Sequence, residues 1–280
     1  MITREATIED WDALLYFFKK VYRANHPLHN KAFWIWQYGD KQYGRSFICV
    51  NEKGNIVGHV GANFGGNVAW IINVYLDEEC RGKGILGKLY ALARQYYPLA
   101  ATAANKAGLG LYQNMRWIRY YDLVRFVKIN PKISNPTLAE VCVSTTIDTS
   151  HLSYNKTHYF QQPGLKGIQL QEGSTAVSQP EVSGLRMVDI NNIQEAAQEA
   201  WDLGFNWIDY ITSWNDLKTR QLENLGWQID SQTVVPWRLN PVVKDYFCNI
   251  SFLSENPLDN NFIVHRSYSD HGRIGSLPIE

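Results

Sequence analysis

The chain has 280 residues, 45% of them hydrophobic and only 19% charged, and its 27 Lys+Arg balance 27 Asp+Glu. That length suits about two domains. Zero net charge excludes both a nucleic-acid binder working by bulk positive charge and an acidic disordered chain.

Residues 2–6 read as a short strand, and Thr7 or Asp10 caps a helix over 8–24 whose apolar residues recur at helical spacing. An irregular aromatic segment follows, with His26-Pro27-Leu28-His29 and then FWIWQYGDKQYG at 33–44. Residues 46–50 and 56–62 form a hairpin around Asn51-Glu52-Lys53-Gly54-Asn55, and 68–76 is a longer strand. An acidic, glycine-rich loop then runs into a helix that Pro98 ends. Residues 99–103 are a short apolar strand, KAGLGLYQNM is a helix, and 117–129 is a long strand closed by Asn130-Pro131. Two Asn-Pro pairs within 130–140 mark a domain boundary, giving units 1–131 and 132–280. Weak strands are expected between 141 and 190, helices at about 191–203 and 214–224, strands at about 207–212 and 227–239, and a strand-like FIVHRSY in the tail.

The halves repeat. A shift of 110 residues lays 99–131 over 209–241 with seven identities in 33 positions, among them Thr102 on Thr212, Asn114 on Asn224 and Trp117 on Trp227. No secretory leader opens the chain, and no apolar run approaches the ~18 residues of a membrane helix. Cys49, Cys80, Cys142 and Cys248 lack metal-type or redox-type spacing, which fits reduced thiols in a cytoplasmic protein.

Chemistry concentrates at Arg81-Gly82-Lys83-Gly84-Ile85-Leu86-Gly87, between a strand and a helix. The first turn of a helix carries N–H groups with no helical acceptor, and the helix dipole adds positive character there. Glycines let an anion approach that backbone, so the expected ligand is a pyrophosphate. No GxxxxGK[ST] is present, and the early hairpin does not suit a dinucleotide-binding βαβ start.

The run YLDEECRGKGILGKLYALA resembles the acyl-CoA loop of the GNAT family, the GCN5-related N-acyltransferases, whose signature is [QR]xxGx[GA]. Arg81 takes its first position and Gly84 its fourth; Leu86 stands where Gly or Ala is usual. Asn105, then Leu111-Tyr112-Gln113-Asn114-Met115-Arg116-Trp117, is similar to the family's N…LYxxxGF segment, with Arg116 for Gly and Trp117 for Phe. The resemblance follows strand order over about 2–128 and is specific across 72–117. It implies an α/β fold of α+β type: tandem GNAT-like mixed β-sheet units with flanking helices, the second degenerate. Under the shift, Arg81–Gly87 falls on the glycine-free 191–197 and Tyr112 on Leu222.

The resemblance further implies an N-acyltransferase using acyl-CoA and no metal. Val74 and Leu76 of the strand, Arg81 through Gly87 and Asn105 would hold coenzyme A, a backbone N–H near Leu76 would stabilise the oxyanion, and Tyr112 would protonate the departing thiolate. FWIWQYGD resembles a segment of acyltransferases acting on nucleotide-linked (dTDP- or UDP-) amino sugars in polysaccharide biosynthesis. It nominates His26, Trp36 and Tyr38 for the acceptor, because Trp and Tyr can stack on a sugar or pyrimidine and His can bond hydroxyls. Simple packing is the alternative for the tryptophans. A protein lysine, an antibiotic amine or CoA sensing without turnover are the rival functions. The partner is then a small molecule, not nucleic acid or membrane, and a homodimer is compatible. No residue stands out as the general base: His59, alone in a strand, reads as structural, and Asp77, Glu78 and Glu79 as solvated.

Overall fold

The computed structural model describes residues 1–103, 106–132, 145–179, 183–213, 215–229, 250–274 and 277. The first half runs β1 (Ile2–Glu5), α1 (Trp11–Val21), α2 (Lys31–Tyr38), β2 (Gly44–Val50), β3 (Ile56–Gly65), β4 (Val68–Leu76), α3 (Ile85–Arg94), β5 (Leu99–Ala103), α4 (Lys106–Asn114) and β6 (Ile118–Ile129). The second runs α5 (Tyr154–Phe160), β7 (Gly167–Gln169), β8 (Thr175–Gln179), β9 (Gly184–Asp189), α6 (Ile193–Asp202), β10 (Trp207–Thr212), α7 (Lys218–Asn224), β11 (Gln228–Ile229) and β12 (Ile250–Ser254). All strands join one mixed sheet in the order β1-β2-β3-β4-β5-β12-β6-β10-β9-β8-β7, with β11 also on β6.

In the first half α1 and α2 cover one face of the sheet and α3 the other. Helix α1 buries Trp11, Leu14, Phe17 and Phe18 on one stripe and exposes Asp12, Lys19 and Lys20. Asp10 ends the preceding turn by accepting the Thr7 N–H at 2.8 Å. The helix stops at Val21, short of the expected 24, and Tyr22 is extended.

The aromatic run 33–44 is not irregular as expected: 31–38 is helix α2, begun where Asn30 Oδ1 accepts the Phe33 N–H at 3.0 Å. It buries Phe33, Trp34, Trp36, Gln37 and Tyr38, so it is apolar on nearly every side and shows no amphipathic stripe to read. Helix α5 lies where only weak strands were expected. The tail strand is β12, not FIVHRSY. Both are short apolar runs, and 250–254 is the one that fits an open ladder edge. The expected strand at 227–239 is seen as Gln228–Ile229, its remainder lying outside the described residues.

The repeat is visible in the backbone. Parallel β4 and β5 are bridged by α3, and parallel β9 and β10 by α6. Helix α4 ends with Trp117 N–H on the Tyr112 carbonyl at 3.0 Å, and α7 with Trp227 N–H on the Leu222 carbonyl at 3.0 Å. The left-handed residue in each ending is Arg116 (φ 60°) in the first half and Gly226 (φ 79°) in the second.

The halves are interleaved. Strand β12 is antiparallel to both β5 and β6, filling the gap between them. Strand β6 in turn lies between β10 and β11. At that seam Arg125 Nε donates to Asp209 Oδ2 at 2.8 Å with both side chains buried. Burial pushes the Asp209 carboxyl up, but the guanidiniums of Arg186, Arg125 and Arg266 outweigh it and hold it below its usual range.

Phe252 of β12 is 1% exposed and stacks on Tyr120 of β6 and Phe262 of the tail. Phe252→Ala therefore leaves a cavity at the join, and urea unfolding should show a loss of ~3–5 kcal/mol.

Candidate active site

The site begins with a separation of two strands. Parallel pairing of β4 with β5 is confined to Ala69–Leu99 and Trp70–Ala100. Beyond Trp70 the strands diverge, and β4 continues to pair only with β3. A β-bulge between His59 and Gly61 shifts that register, and Asn73 opposite takes the left-handed conformation at φ 50°.

Three buried side chains hold the bulge. His59 Nδ1 hydrogen-bonds the Asn73 carbonyl at 2.9 Å, and its Nε2 partners Ser46 Oγ at 2.9 Å. Tyr38 Oη donates to Asn73 Oδ1 at 2.8 Å, joined by Gln37 Nε2 at 3.4 Å. Gly61 makes room: a Cβ there would lie 2.0 Å from the Tyr38 oxygen. Burial pushes the His59 pKa down to about 4, so the ring is neutral.

A cavity of about 730 Å³ fills the opening between β4 and β5. Asn73, Val74 and Leu76 line one side, and Thr102 with Ala103 the other. At one end stand Arg81, Gly82, Gly84, Ile85 and Leu86 before and within the start of α3. Gly84 is the N-cap at φ 71°, and a Cβ there would meet nothing within 4 Å. A cap without a side chain leaves the first N–H groups of α3 to a ligand. Arg81 folds back, its Nε donating to the Leu76 carbonyl at 3.2 Å. Lys83 and Gly87 are exposed and do not line the cavity. Asn105 lies outside the described residues.

Tyr112 of α4 lines the same cavity. Its ring stacks on Trp117 at 4.6 Å, and its hydroxyl neighbours that of Tyr90. Burial, then the Tyr90 phenol, raises its pKa well above the ordinary value, so it keeps its proton.

A second cavity of about 390 Å³ adjoins the first, sharing Tyr22, Asn73 and Asp270 with it. His26 lines it, neutral because burial pushes its pKa down to about 3, with Tyr22 stacked on it at 4.2 Å. Trp36 and Tyr38 line neither cavity. Trp36 Nε1 donates to the His158 carbonyl at 2.7 Å and its ring stacks on His158, while Tyr38 serves the bulge. From the aromatic run, Phe33 and Gln37 reach the cavity instead.

Sequence reasoning missed Tyr22, Asn73, Thr102, Asp270 and Arg273. Asp270, from the tail, borders both cavities; its Oδ1 accepts from Thr102 Oγ1 at 3.0 Å and Ser269 Oγ at 3.3 Å. No local signal in a polar tail marks such a residue.

The second unit has the same elements without the site. Strands β9 and β10 stay paired from Trp207–Gly184 to Tyr210–Met187 and do not open as β4 and β5 do. Asn192 caps α6, its side chain accepting from Gln194 and Glu195 N–H at 3.1 and 3.3 Å. The groups left open at α3 are satisfied there. Among the described residues no cluster of three His, Cys, Asp or Glu side chains suits a metal ion, and no helix is long and apolar enough to cross a membrane.

The opened strands and the glycine-capped helix together form an α/β unit with a cavity at the start of a helix. Residues 9–121 match the model of the Acetyltransferase (GNAT) family. A Pyrococcus horikoshii structure assigned as an acetyltransferase is 15% identical over 91% of this chain and 89% of its own, with a TM-score of 0.52, so the two share a fold. A conserved protein of unknown function from Enterococcus faecalis V583 is 12% identical over 77% of this chain and 67% of its own (TM-score 0.49). A phosphinothricin acetyltransferase from Sinorhizobium meliloti in complex with AcCoA is 16% identical over 44% of this chain and 77% of its own (TM-score 0.34). No protein of curated description matches the chain.

Gly84→Asp would place a carboxylate before α3 and strain the left-handed cap. Calorimetry should show acetyl-CoA affinity falling more than tenfold, or over ~1.4 kcal/mol, with the fold intact.

The depressed pKa of His59 also predicts a pH response. Between about 4 and the ordinary 6.5 the unfolded chain binds a proton that the folded ring does not. Stability is therefore full above pH ~6.5 and falls on acidification toward 4, by up to ~1.4 kcal/mol per pH unit for this group. His59→Gln should flatten that slope in urea unfolding curves taken across the range.

Proposed function

We propose that the protein is an N-acyltransferase of GNAT type, moving an acyl group from acyl-CoA to a primary amine. The observation that carries this reading is the cavity between β4 and β5, with a glycine-capped helix start at one end and a buried, protonated tyrosine on its wall. Acyl-CoA supplies the activated thioester. Gly82, Gly84 and the N–H groups of Ile85 and Leu86 cradle its pyrophosphate, with Arg81 beside them. The β4 edge at Val74 and Leu76 carries no ladder partner toward β5 and offers peptide groups to the pantetheine arm. A backbone N–H of the same edge stabilises the oxyanion.

The second cavity holds the acceptor, so the amine arrives between Asp270 and Asn73, where the two cavities meet. Asp270 receives the ammonium and takes its proton, oriented by Thr102 and Ser269. The Tyr22 hydroxyl at the same junction is buried without a partner among the described residues and can bond the acceptor. Tyr112 gives its proton to the departing thiolate, which at a thiol pKa of ~8.5 leaves more readily protonated. Units 1–131 and 132–280 then divide the labour. The first binds and reacts, while the second completes the sheet with β12 and sends Asp270 into the site.

The narrower acceptor reading is a nucleotide-linked amino sugar. Its support is the aromatic run at 33–44, from which Phe33 and Gln37 line the acceptor cavity. Thiol release from acetyl-CoA, measured against amino sugars, aminoglycosides, lysine peptides and polyamines, tests both levels. Thiol release with no amine acceptor found would leave only hydrolysis, and tight CoA binding without thiol release would make the protein a sensor.

Tyr112→Phe keeps the ring and removes the acid. With chemistry rate-limiting, kcat should fall ~10²-fold while acetyl-CoA binding stays within a few-fold. Retention of more than half the parent kcat would transfer the acid's role to water or another group.

A further inference from the structure

Arg273 is a buried cation without an anionic partner among the described residues. It is 4% exposed and lies on the wall of the second cavity, three residues beyond Asp270. Its guanidinium rests over the rings of Trp36 and Tyr43, 5.0 and 5.5 Å from their centroids. Its Nη2 donates to Asn63 Oδ1 at 3.1 Å and, at 3.5 Å, to the Ser267 carbonyl, which Nη1 also reaches at 3.5 Å. Among the described residues its Nε–H meets no acceptor and no carboxylate lies within ion-pair distance of it. A charge taken out of water at such cost is ordinarily paired.

The other charged groups on that wall are Arg23, exposed at the rim, and Asp270. His26 is neutral there. Among the described residues the cavity thus presents two guanidiniums against one carboxylate. The carboxylate stands where the cavity opens toward the thioester site; both guanidiniums line the second cavity only.

We propose that this cavity is a recognition site for an acceptor carrying an acid group, phosphate or carboxylate, together with its amine. The amine binds at Asp270 and the acid group at Arg273, with Arg23 at the entrance. A planar guanidinium can take either anion through two N–H groups, and Arg273 is held flat on aromatic rings rather than neutralised by a protein carboxylate. The proposal rests on the acyltransferase reading for what happens to the amine. The anion site itself stands on Arg273 and is tested by binding.

Matched amines separate the outcomes: glucosamine 6-phosphate against glucosamine, and 4-aminobutyrate against n-butylamine. Each is titrated by calorimetry into the full-length protein, with and without saturating acetyl-CoA. The acid-bearing member of at least one pair should bind at least tenfold tighter, and which pair responds identifies phosphate or carboxylate. Arg273→Gln should erase the preference and Arg273→Lys keep part of it, with acetyl-CoA affinity unchanged within a few-fold as the check on folding. If Arg273→Gln does not fold, Arg23→Gln, at an exposed position, should reduce the preference at least threefold. Equal binding within both pairs, or a preference that survives Arg273→Gln, overturns the proposal. A preference that persists in a protein unable to bind acetyl-CoA would uphold the anion site and remove the acyltransferase reading instead.

Discussion

The site depends on one departure from regular pairing: β4 leaves β5 after Trp70. Peptide groups along β4 then lack ladder partners on one side, and buried backbone groups need partners. The cavity exists because those groups face the opening between the two strands instead of a ladder partner. Keeping them so requires a residue in an uncommon conformation, Asn73, which the buried trio of His59, Tyr38 and Gln37 holds through both its carbonyl and its side chain. A left-handed non-glycine residue persists only where its surroundings over-determine it. Helix α2, which the aromatic run forms, therefore supports the bulge through Gln37 and Tyr38 while Phe33 and Gln37 line the second cavity.

The second unit shows what the same order of elements does without that departure. Its parallel pair stays zipped, and an asparagine rather than a glycine caps its helix. The N–H groups that would receive an anion are already bonded to Asn192. The cavity between opened parallel strands is thus a feature of the first half, and the second half pairs where the first opens. The two halves share one sheet, since β12 fills the gap between β5 and β6 and β6 pairs with β10, pinned by the buried Arg125–Asp209 pair. The tail that follows β12 then carries Asp270 and Arg273 to the mouth of the first unit's cavities.

Much of this was legible in the residues. The glycine loop at 82–84, the tyrosine of LYQNM and the strand order of the first half are all local patterns, with chemistry set by neighbours a few positions away. Reading along the chain located α6, α7 and β10 within a few residues but not α5, and under the 110-residue shift the absence of glycine at 191–197 marked the second unit's loop as changed. The acceptor side was harder. Trp36 and Tyr38 were nominated for their rings, yet an aromatic ring serves a core as well as a ligand, and both face inward. Helix α2 was not visible because its exposed face carries Ala32 and Ile35 beside Lys31, so no polar face marks the helical period.

What the sequence alone determined are the properties that arise within a few turns of chain: helix caps, the anion-ready loop, the alternation of strands and helices, and the repeat. What only the tertiary structure decided are the relations between residues far apart. Asp270 meets Thr102 across 168 positions, and Arg273 meets Asn63 across 210. Neither a lone aspartate nor a lone arginine in a polar tail differs from a solvated one until the fold buries it. Which apolar stretch became β12 was likewise settled by the free edges of β5 and β6 rather than by its own composition. Ladder edges and buried charges acquire their meaning from what lies opposite, and that is a property of the folded chain.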